Sequence, residues 1–500
     1  MSIIRGDTGW IIIDCLTSAE TAKVALKLVN EHFGNMPISA IILTHSHTDH
    51  YGGILGVLCS DTEKKINVYA PEGFMKAVIE ENVTAGVAMS RRAVYMYGEV
   101  LPHDEKGIID NGIGKGVSAG TVTLTNRVKE ISKSGNEQYV EKVIDGVNIQ
   151  FQLTPDAEAP AEINIYIPSE KSLCIADNCL ATLHNLYTLR GSQVRDAVAW
   201  AKYLQQAIDL FGDSLTTIFG GHNWPRFGNQ QCIDYLEKQR DVFQYINDQT
   251  LRLINQGYTL EKVGRIVKLP KSLHDKWYNS SFYGTVNHNA KAVYQKYMGG
   301  EDAVLEKAKK SFQEGEYQWV AEVTKQVIYA NPNNENAKLL CADALEQLGY
   351  IAESGPWKNE YLTGAQELRS GITPIPISTI SKKVLDSLPL QNILYLFSIR
   401  LDGIKAGDYD YKINFVIPDR DEVASTEIKR GIFRYLNTEL AADAEVTVTM
   451  QKDQLYELAT TNNKSNSSII IIQGDKDKWQ LFLSAQDKID PNFNIVTPLS

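Results

Sequence analysis

Thr44-His45-Ser46-His47-Thr48-Asp49-His50 follows the apolar run Ser39-Ala40-Ile41-Ile42-Leu43 and precedes Tyr51-Gly52-Gly53. The short β-branched run predicts a buried strand, and the polar heptad falls in the loop at its end. Alternate side chains of such a loop point to one side, so His45 and His47 can face one ion while Asp49 and His50 turn toward a second. Neutral imidazole is the commonest transition-metal ligand, and three of the nine histidines in the chain stand in this one stretch. That concentration points to a metal site rather than to an ordinary polar surface loop.

The stretch resembles the H-x-H-x-D-H signature of the metallo-β-lactamase superfamily, in which two packed β-sheets flanked by helices hold one or two metals between their edges. The resemblance implies three further ligands at later strand ends. The strand at 147–153 runs into Thr154-Pro155-Asp156-Ala157-Glu158-Ala159-Pro160-Ala161-Glu162, where most of the superfamily carries Thr-Pro-Gly-His, so Glu158 or Glu162 takes the place of His. The strand at 172–176 ends in Asp177-Asn178, at the usual bridging position, and 216–219 leads through Gly220-Gly221 to His222. A lone acid or His after a strand is commonly a cap or a satisfied polar group, but an ordered set of four points to one site.

Five hundred residues exceed a single core and predict two to four domains. Lys and Arg number 50 against 61 Asp and Glu, a net charge of −11, which argues against a nucleic-acid partner. The six cysteines (15, 59, 174, 179, 232 and 341) are scattered and are expected to be free, buried thiols. No apolar run approaches the ~18 residues of a membrane span, and Met1-Ser2-Ile3-Ile4-Arg5 lacks the features of a signal peptide. The chain as written therefore reads as cytoplasmic, with no integral membrane association; secretion or a periplasmic location would need an upstream segment.

Residues 2–14 read as strand, tight turn and strand, and 17–33 as an amphipathic helix capped by Ser18. Taken together, Gly6-Asp7-Thr8-Gly9-Trp10, Leu16-Thr17-Ser18-Ala19-Glu20-Thr21-Ala22, the histidine heptad, Glu158-Ala159-Pro160-Ala161-Glu162, Thr182-Leu183-His184-Asn185 and Leu189-Arg190-Gly191 resemble the bacterial and fungal alkylsulfatases, which hydrolyse alkyl sulfate esters such as dodecyl sulfate. The likeness runs from residue 3 nearly to the C-terminus. It implies two zinc ions per monomer, the first on His45, His47 and Glu158 and the second on Asp49, His50 and His222. Asp177 would bridge them where the family usually has Glu, and Glu162 would stand behind the ligands or cap the turn. It also implies a sulfate clamp of Asn185, Arg190 and Arg195, with Asp49 counted among the catalytic residues. A sulfate monoester spreads one charge over three oxygens, which suits a planar bidentate donor. Strands that the family places before the first hairpin, and a loop of ~20 to 30 residues after Tyr297, are missing. The resemblance therefore implies an N-terminally truncated form with an unpaired sheet edge.

Residues 82–130 are expected to form an insertion that shapes the substrate entrance. Its glycine cluster at 112–116 reads as loop flexibility rather than a phosphate loop, and Arg91, Arg92 and His103 as solvated or capping residues. Residues 239–368 read as helical, with breaks at Pro270 and Gly299-Gly300, and 301–350 carry barely one and a half repeats of tetratricopeptide type. This part resembles the alkylsulfatase dimerisation domain and implies a homodimer. After a Pro-punctuated linker at 370–378, strands are expected at 391–400, 409–417, 445–450, 468–473 and 480–483, with helices at 381–388 and 452–460; 462–467 reads as a polar turn. The pattern resembles the sterol-carrier-like domain of the family, with an apolar tunnel for lipid-like tails. The expected fold class is α/β: a metallo-β-lactamase αββα sandwich at 1–240, an α-helical dimerisation domain at 241–371 and an α+β sterol-carrier-like domain at 372–500. The expected function is zinc-dependent hydrolysis of a small amphiphilic sulfate ester to alcohol and sulfate. The alternatives are an amphiphile-binding protein with an impaired catalytic domain, or a hydrolase of another ester on the same metals.

Overall fold

The structure is a computed structural model that describes residues 1–58, 66–135, 137–258, 260–298, 312, 315–374, 384, 387–461, 470–487 and 492–498. Ser2–Arg5 (β1) and Trp10–Ile13 (β2) form the expected hairpin, and Ile38–Ile42 (β3), Asn67–Pro71 (β4) and Val128–Ile131 (β5) join it in parallel. The sheet runs β1-β2-β3-β4-β5, with β1 at its edge. β2 and the end of β3 are covered on both faces, which is why they read as Ile runs.

A second sheet has the order β11-β10-β9-β8-β7-β6. Its strands are Val140–Ile144 (β6), Val147–Leu153 (β7), Ile163–Ile167 (β8), Ser172–Cys174 (β9), Thr217–Phe219 (β10) and Arg226–Phe227 (β11), antiparallel except where β9 meets β10. The sheets meet through Ile11, Ile13 and Ile42 on one side and Phe151, Ile163 and Ile165 on the other. Strand alternation sends Trp10 and Ile12 to the opposite face, over which the chain lays helix Ala19–Phe33, capped by Ser18 as expected. Helices Ala197–Phe211 and Asn229–Ile254 cover the second sheet through Trp200, Leu204, Leu236 and Phe243. The result is a four-layered αββα sandwich.

Helices Tyr317–Ala330, Glu335–Ile351 and Gly355–Ser370 pack in succession, as a helical hairpin repeat does. The first part of that repeat, most of 381–388, the turn at 462–467 and Cys59 lie outside the described residues. The other five cysteines are free and buried.

A third sheet, in the order β14-β13-β12-β15-β16, holds Asp410–Ile417 (β12), Glu422–Lys429 (β13), Ile432–Asn437 (β14), Val446–Thr449 (β15) and Ile471–Gly474 (β16). Two expected strands here are helices. Residues 391–400 fall largely in helix Leu390–Ser398, because Leu390, Ile393, Leu394 and Phe397 recur at helical spacing and are all buried. Residues 480–483 lie in helix Lys476–Ser484, which Asp475 caps by accepting from the Asp477 and Lys478 main-chain N–H groups. Among the described residues no helix is long and apolar enough to cross a membrane.

The insertion after β4 also differs from expectation. Arg91, expected to be solvated or capping, is 2% exposed on helix Gly86–Tyr97. Its Nη2 donates to Glu367 Oε1 at 2.5 Å and its Nε to the Phe493 carbonyl at 3.2 Å, while the Tyr95 hydroxyl donates to the second oxygen of Glu367. Arg92 Nε donates to the Leu189 carbonyl at 3.0 Å, and His103 is exposed. The pair Arg91–Glu367 thus clamps the insertion to helix Gly355–Ser370. Glu367→Ala strands a buried guanidinium and is expected to lower unfolding free energy by about 3–5 kcal/mol in urea titrations. A loss under about 1 kcal/mol would show the clamp to be dispensable.

Candidate metal centre

Every donor suggested by the sequence sits just beyond a strand end, where the two sheets meet. Asp14 ends β2 in a left-handed conformation (φ 57°) and turns its carboxylate back toward the histidine loop. There it accepts from Thr44 N, Thr44 Oγ1 and His50 Nδ1, each at 2.8 Å. Ala176, also left-handed (φ 48°), reverses the chain between β9 and Asp177. Gly221 is required after β10: a Cβ there would lie 2.3 Å from His50 Cε1 and 2.7 Å from Asp177 Oδ1.

The donors form two adjoining clusters. In the first, Glu158 Oε2 is 3.4 Å from His45 Nε2 and 2.9 Å from His47 Nδ1. In the second, His50 Nε2 is 3.4 Å from both Asp49 Oδ2 and Asp177 Oδ2, and His222 Nε2 is 3.0 Å and 3.4 Å from the same two oxygens. Donor atoms about 3.3 Å apart are what tetrahedral bonds of ~2.0–2.1 Å require. His45 Nε2, His50 Nε2, Glu158 Oε2 and Asp177 Oδ1 are buried and make no hydrogen bond within the protein, so the donors fit a metal. The other nitrogens are committed: His45 Nδ1 to Thr44 Oγ1, His50 Nδ1 to Asp14, and His222 Nδ1 to the Ile113 carbonyl. Such outer bonds orient a ligating imidazole. The glycine-rich loop at 112–116 thereby gains a positioning role in addition to shaping the entrance.

Burial pushes His45 down to about 3 and His47 to about 4, which leaves both as neutral donors. At the second cluster burial acts the same way but is outweighed by carboxylates. Asp177, Asp49 and Asp14 hold His50 well above its usual range, and Asp177 and Asp49 hold His222 at about 10. Asp49 and Asp177 are in turn kept well below the carboxylate range against the effect of burial, chiefly by His50 and His222 respectively. A cation bound there displaces those protons. Glu162 Oε2 accepts from Glu158 N at 3.1 Å, and burial, with repulsion from Glu158 and Asp177, raises its pKa well above normal.

The clusters open into a cavity of about 470 Å3 whose wall includes Arg190, Arg195, His184 and Tyr283 and, from the insertion, Met89 and Val94. Arg195 is fully engaged. It bonds the Glu158 carboxylate and carbonyl through Nη2 and Nε, and the Asn185 carbonyl and side-chain oxygen through Nη1. Asn185 therefore faces Arg195 rather than the cavity. Arg190 is looser, with Nη1 on the Gly191 carbonyl at 3.1 Å and Nη2 3.5 Å from Glu81.

Sequence reasoning passed over Asp14 and Glu81, and it quoted His184 within a motif without giving it a role. His184 Nε2 stands 3.5 Å from Glu158 Oε1 and forms a third possible donor group with Glu158 and Asp177. The acid closing the Trp10–Ile13 run was a usable signal for Asp14. Glu81 had none, since it follows the surface residue Glu80 in an ordinary acidic pair.

Residues 1–222 match the metallo-beta-lactamase superfamily, 259–299 and 296–371 the alkyl sulfatase dimerisation family, and 378–498 the alkyl sulfatase C-terminal family. A linear primary-alkylsulfatase from Pseudomonas sp. is 42% identical over 531 aligned residues, which span all of this chain and 78% of that protein. An alkyl/aryl-sulfatase of Saccharomyces cerevisiae is 39% identical, over all of this chain and 81% of the relative. The solved structure of a stereoselective inverting sec-alkylsulfatase from Pseudomonas sp. superposes with a TM-score of 0.88 at 36% identity, covering 100% of this chain and 83% of that one. With all three parts matched in order and relatives similar along its whole length, the chain belongs to the alkylsulfatase family of the metallo-β-lactamase superfamily.

Proposed function

We propose that the protein hydrolyses alkyl sulfate esters of the dodecyl sulfate type to alcohol and sulfate, with two zinc ions per monomer. His45, His47 and Glu158 would hold one ion, and Asp49, His50 and His222 the other, with Asp177 between them. The observation that carries this reading is the juxtaposition in one cavity of both donor clusters with the incompletely bonded guanidinium of Arg190. The names of the relatives support the same substrate class. Zinc ions bound there supply an activated water and electrostatic stabilisation of the departing sulfate.

The chain's own residues then divide the remaining work. Arg190 orients the sulfate oxygens, and the apolar side chains of Met89, Ala93, Val94 and Ile113 take up the alkyl tail and exclude water. Arg195, locked to Glu158 and supported by Asn185, holds that ligand carboxylate in place. The match to the dimerisation family supports a homodimer built through the helices at 241–371.

His47→Ala and His222→Ala are each expected to reduce zinc by about one ion or more per chain by mass spectrometry, with circular dichroism largely retained because the sheets pack independently of the ions. Unchanged stoichiometry in either variant would remove that residue from the ligand set.

Arg190→Ala is expected to keep its zinc and to lose roughly 10²-fold in kcat/KM on dodecyl sulfate. An equal loss on a neutral carboxyl ester would make Arg190 a structural residue.

A further inference from the structure

Helix Phe74–Ile79 and helix Gly86–Tyr97 are joined by a π-helical turn, Glu80–Thr84. Such a turn carries one residue more than an α-helical turn and redirects side chains, and single π-turns recur at functional sites. Here it separates two neighbouring acids. Glu80 pairs at the surface with Lys76, whereas Glu81 is 7% exposed and points into the cavity. One oxygen of Glu81, Oε2, lies 3.5 Å from Arg190 Nη2 and 3.6 Å from His47 Nε2. His47 turns its Nδ1 to Glu158, so Glu81 stands behind this imidazole and beside the loosely held guanidinium of Arg190.

An acid in that place acts on an anionic ligand in two opposed ways. It limits the motion of Arg190, which helps every sulfur oxyanion alike. It also repels negative charge, which penalises a dianion about twice as much as a monoanion at the same distance. A sulfate ester carries one negative charge, whereas the inorganic sulfate released from it carries two.

We propose that Glu81 is a specificity-determining residue: its carboxylate, set against Arg190 by the π-turn, biases the oxyanion site toward monoanionic esters and against dianions, including the inorganic sulfate product. The inference rests on the sulfate ester reading of the cavity. It makes Glu81 a charge selector rather than a mere prop for Arg190. The two roles separate because loss of a prop weakens both classes of anion equally.

The test is calorimetric titration of the zinc-loaded protein with inorganic sulfate, a dianion, and with octane-1-sulfonate, a monoanion whose carbon–sulfur bond is not hydrolysed. Glu81→Gln keeps the volume and an oxygen acceptor for His47 while removing the charge. It is expected to tighten inorganic sulfate relative to octane-1-sulfonate by roughly tenfold, as for one unit charge a few ångströms away in a partly screened site. Glu81→Asp, which keeps the charge, is expected to retain the parent ratio. In steady-state assays on dodecyl sulfate, inhibition by inorganic sulfate should deepen in Glu81→Gln to the same degree. An unchanged ratio in Glu81→Gln, or an equal shift in Glu81→Asp, overturns the proposal. Failure of the parent protein to bind either anion overturns the sulfate ester reading itself, so the two failures are distinguishable.

Discussion

The carboxylate of Asp14 is the constraint on which the centre depends. Its three hydrogen bonds tie the end of β2 to the first residue of the histidine loop and fix the far nitrogen of His50. A buried carboxylate left without partners would cost several kcal/mol, so loop and acid hold one another in place. The same chain of bonds reaches His45, because the Thr44 hydroxyl that meets Asp14 also meets His45 Nδ1. One acid at a strand end therefore orients a histidine from each donor cluster.

Rigidity in the rest of the site comes from the packing of the two sheets. Ile11, Ile13 and Ile42 against Phe151, Ile163 and Ile165 set the distance between the strand ends that carry the donors. Where the backbone must reverse sharply to aim a side chain, it does so at a local cost. Ala176, a non-glycine residue at φ 48°, precedes Asp177, and such a conformation costs on the order of 1 kcal/mol or more. Gly221 lets the chain pass against His50 and Asp177 where any Cβ would collide. The insertion at 82–130 contributes differently. It brings the apolar wall and the Ile113 carbonyl, with Glu81 just ahead of it, and it is fastened from behind by the buried Arg91–Glu367 pair. The donor clusters are thus positioned by the sheets, and part of the cavity wall by a separately anchored segment.

That division also explains what was legible in the sequence. The histidine heptad and the strands leading to Glu158, Asp177 and His222 stood out because metal chemistry concentrates uncommon residues at the ends of apolar runs. Glu81 joins the site singly, through a helix irregularity with no local signature, and its partner Arg190 lies more than a hundred residues away. His184 was visible as a residue, but its closeness to Glu158 depends on how the later loop folds back. In the C-terminal domain, 391–400 and 480–483, which lie largely in helices Leu390–Ser398 and Lys476–Ser484, read as strands because short apolar runs with aromatics fit either period. Burial at i, i+3, i+4 and i+7 decides for helix in Leu390–Ser398, and burial of Trp479 and Phe482, three apart, accords with helix in Lys476–Ser484. Arg91 was misread for a related reason, since its partner Glu367 comes from another domain.

The charges around the cavity form a pattern of their own. Glu158 stands where most of the superfamily carries a neutral His, and Arg195, bonded to its carboxylate and its carbonyl, neutralises the added charge. Glu81 and Arg190 form a second, looser neutral pair. Burial, with repulsion from Glu158 and Asp177, raises the Glu162 pKa well above the usual carboxylate range. Asp14, Asp49 and Asp177 all lie against the second cluster, where each meets His50. The pairing with Glu158 accounts for an arginine whose every terminal nitrogen is already occupied within the protein.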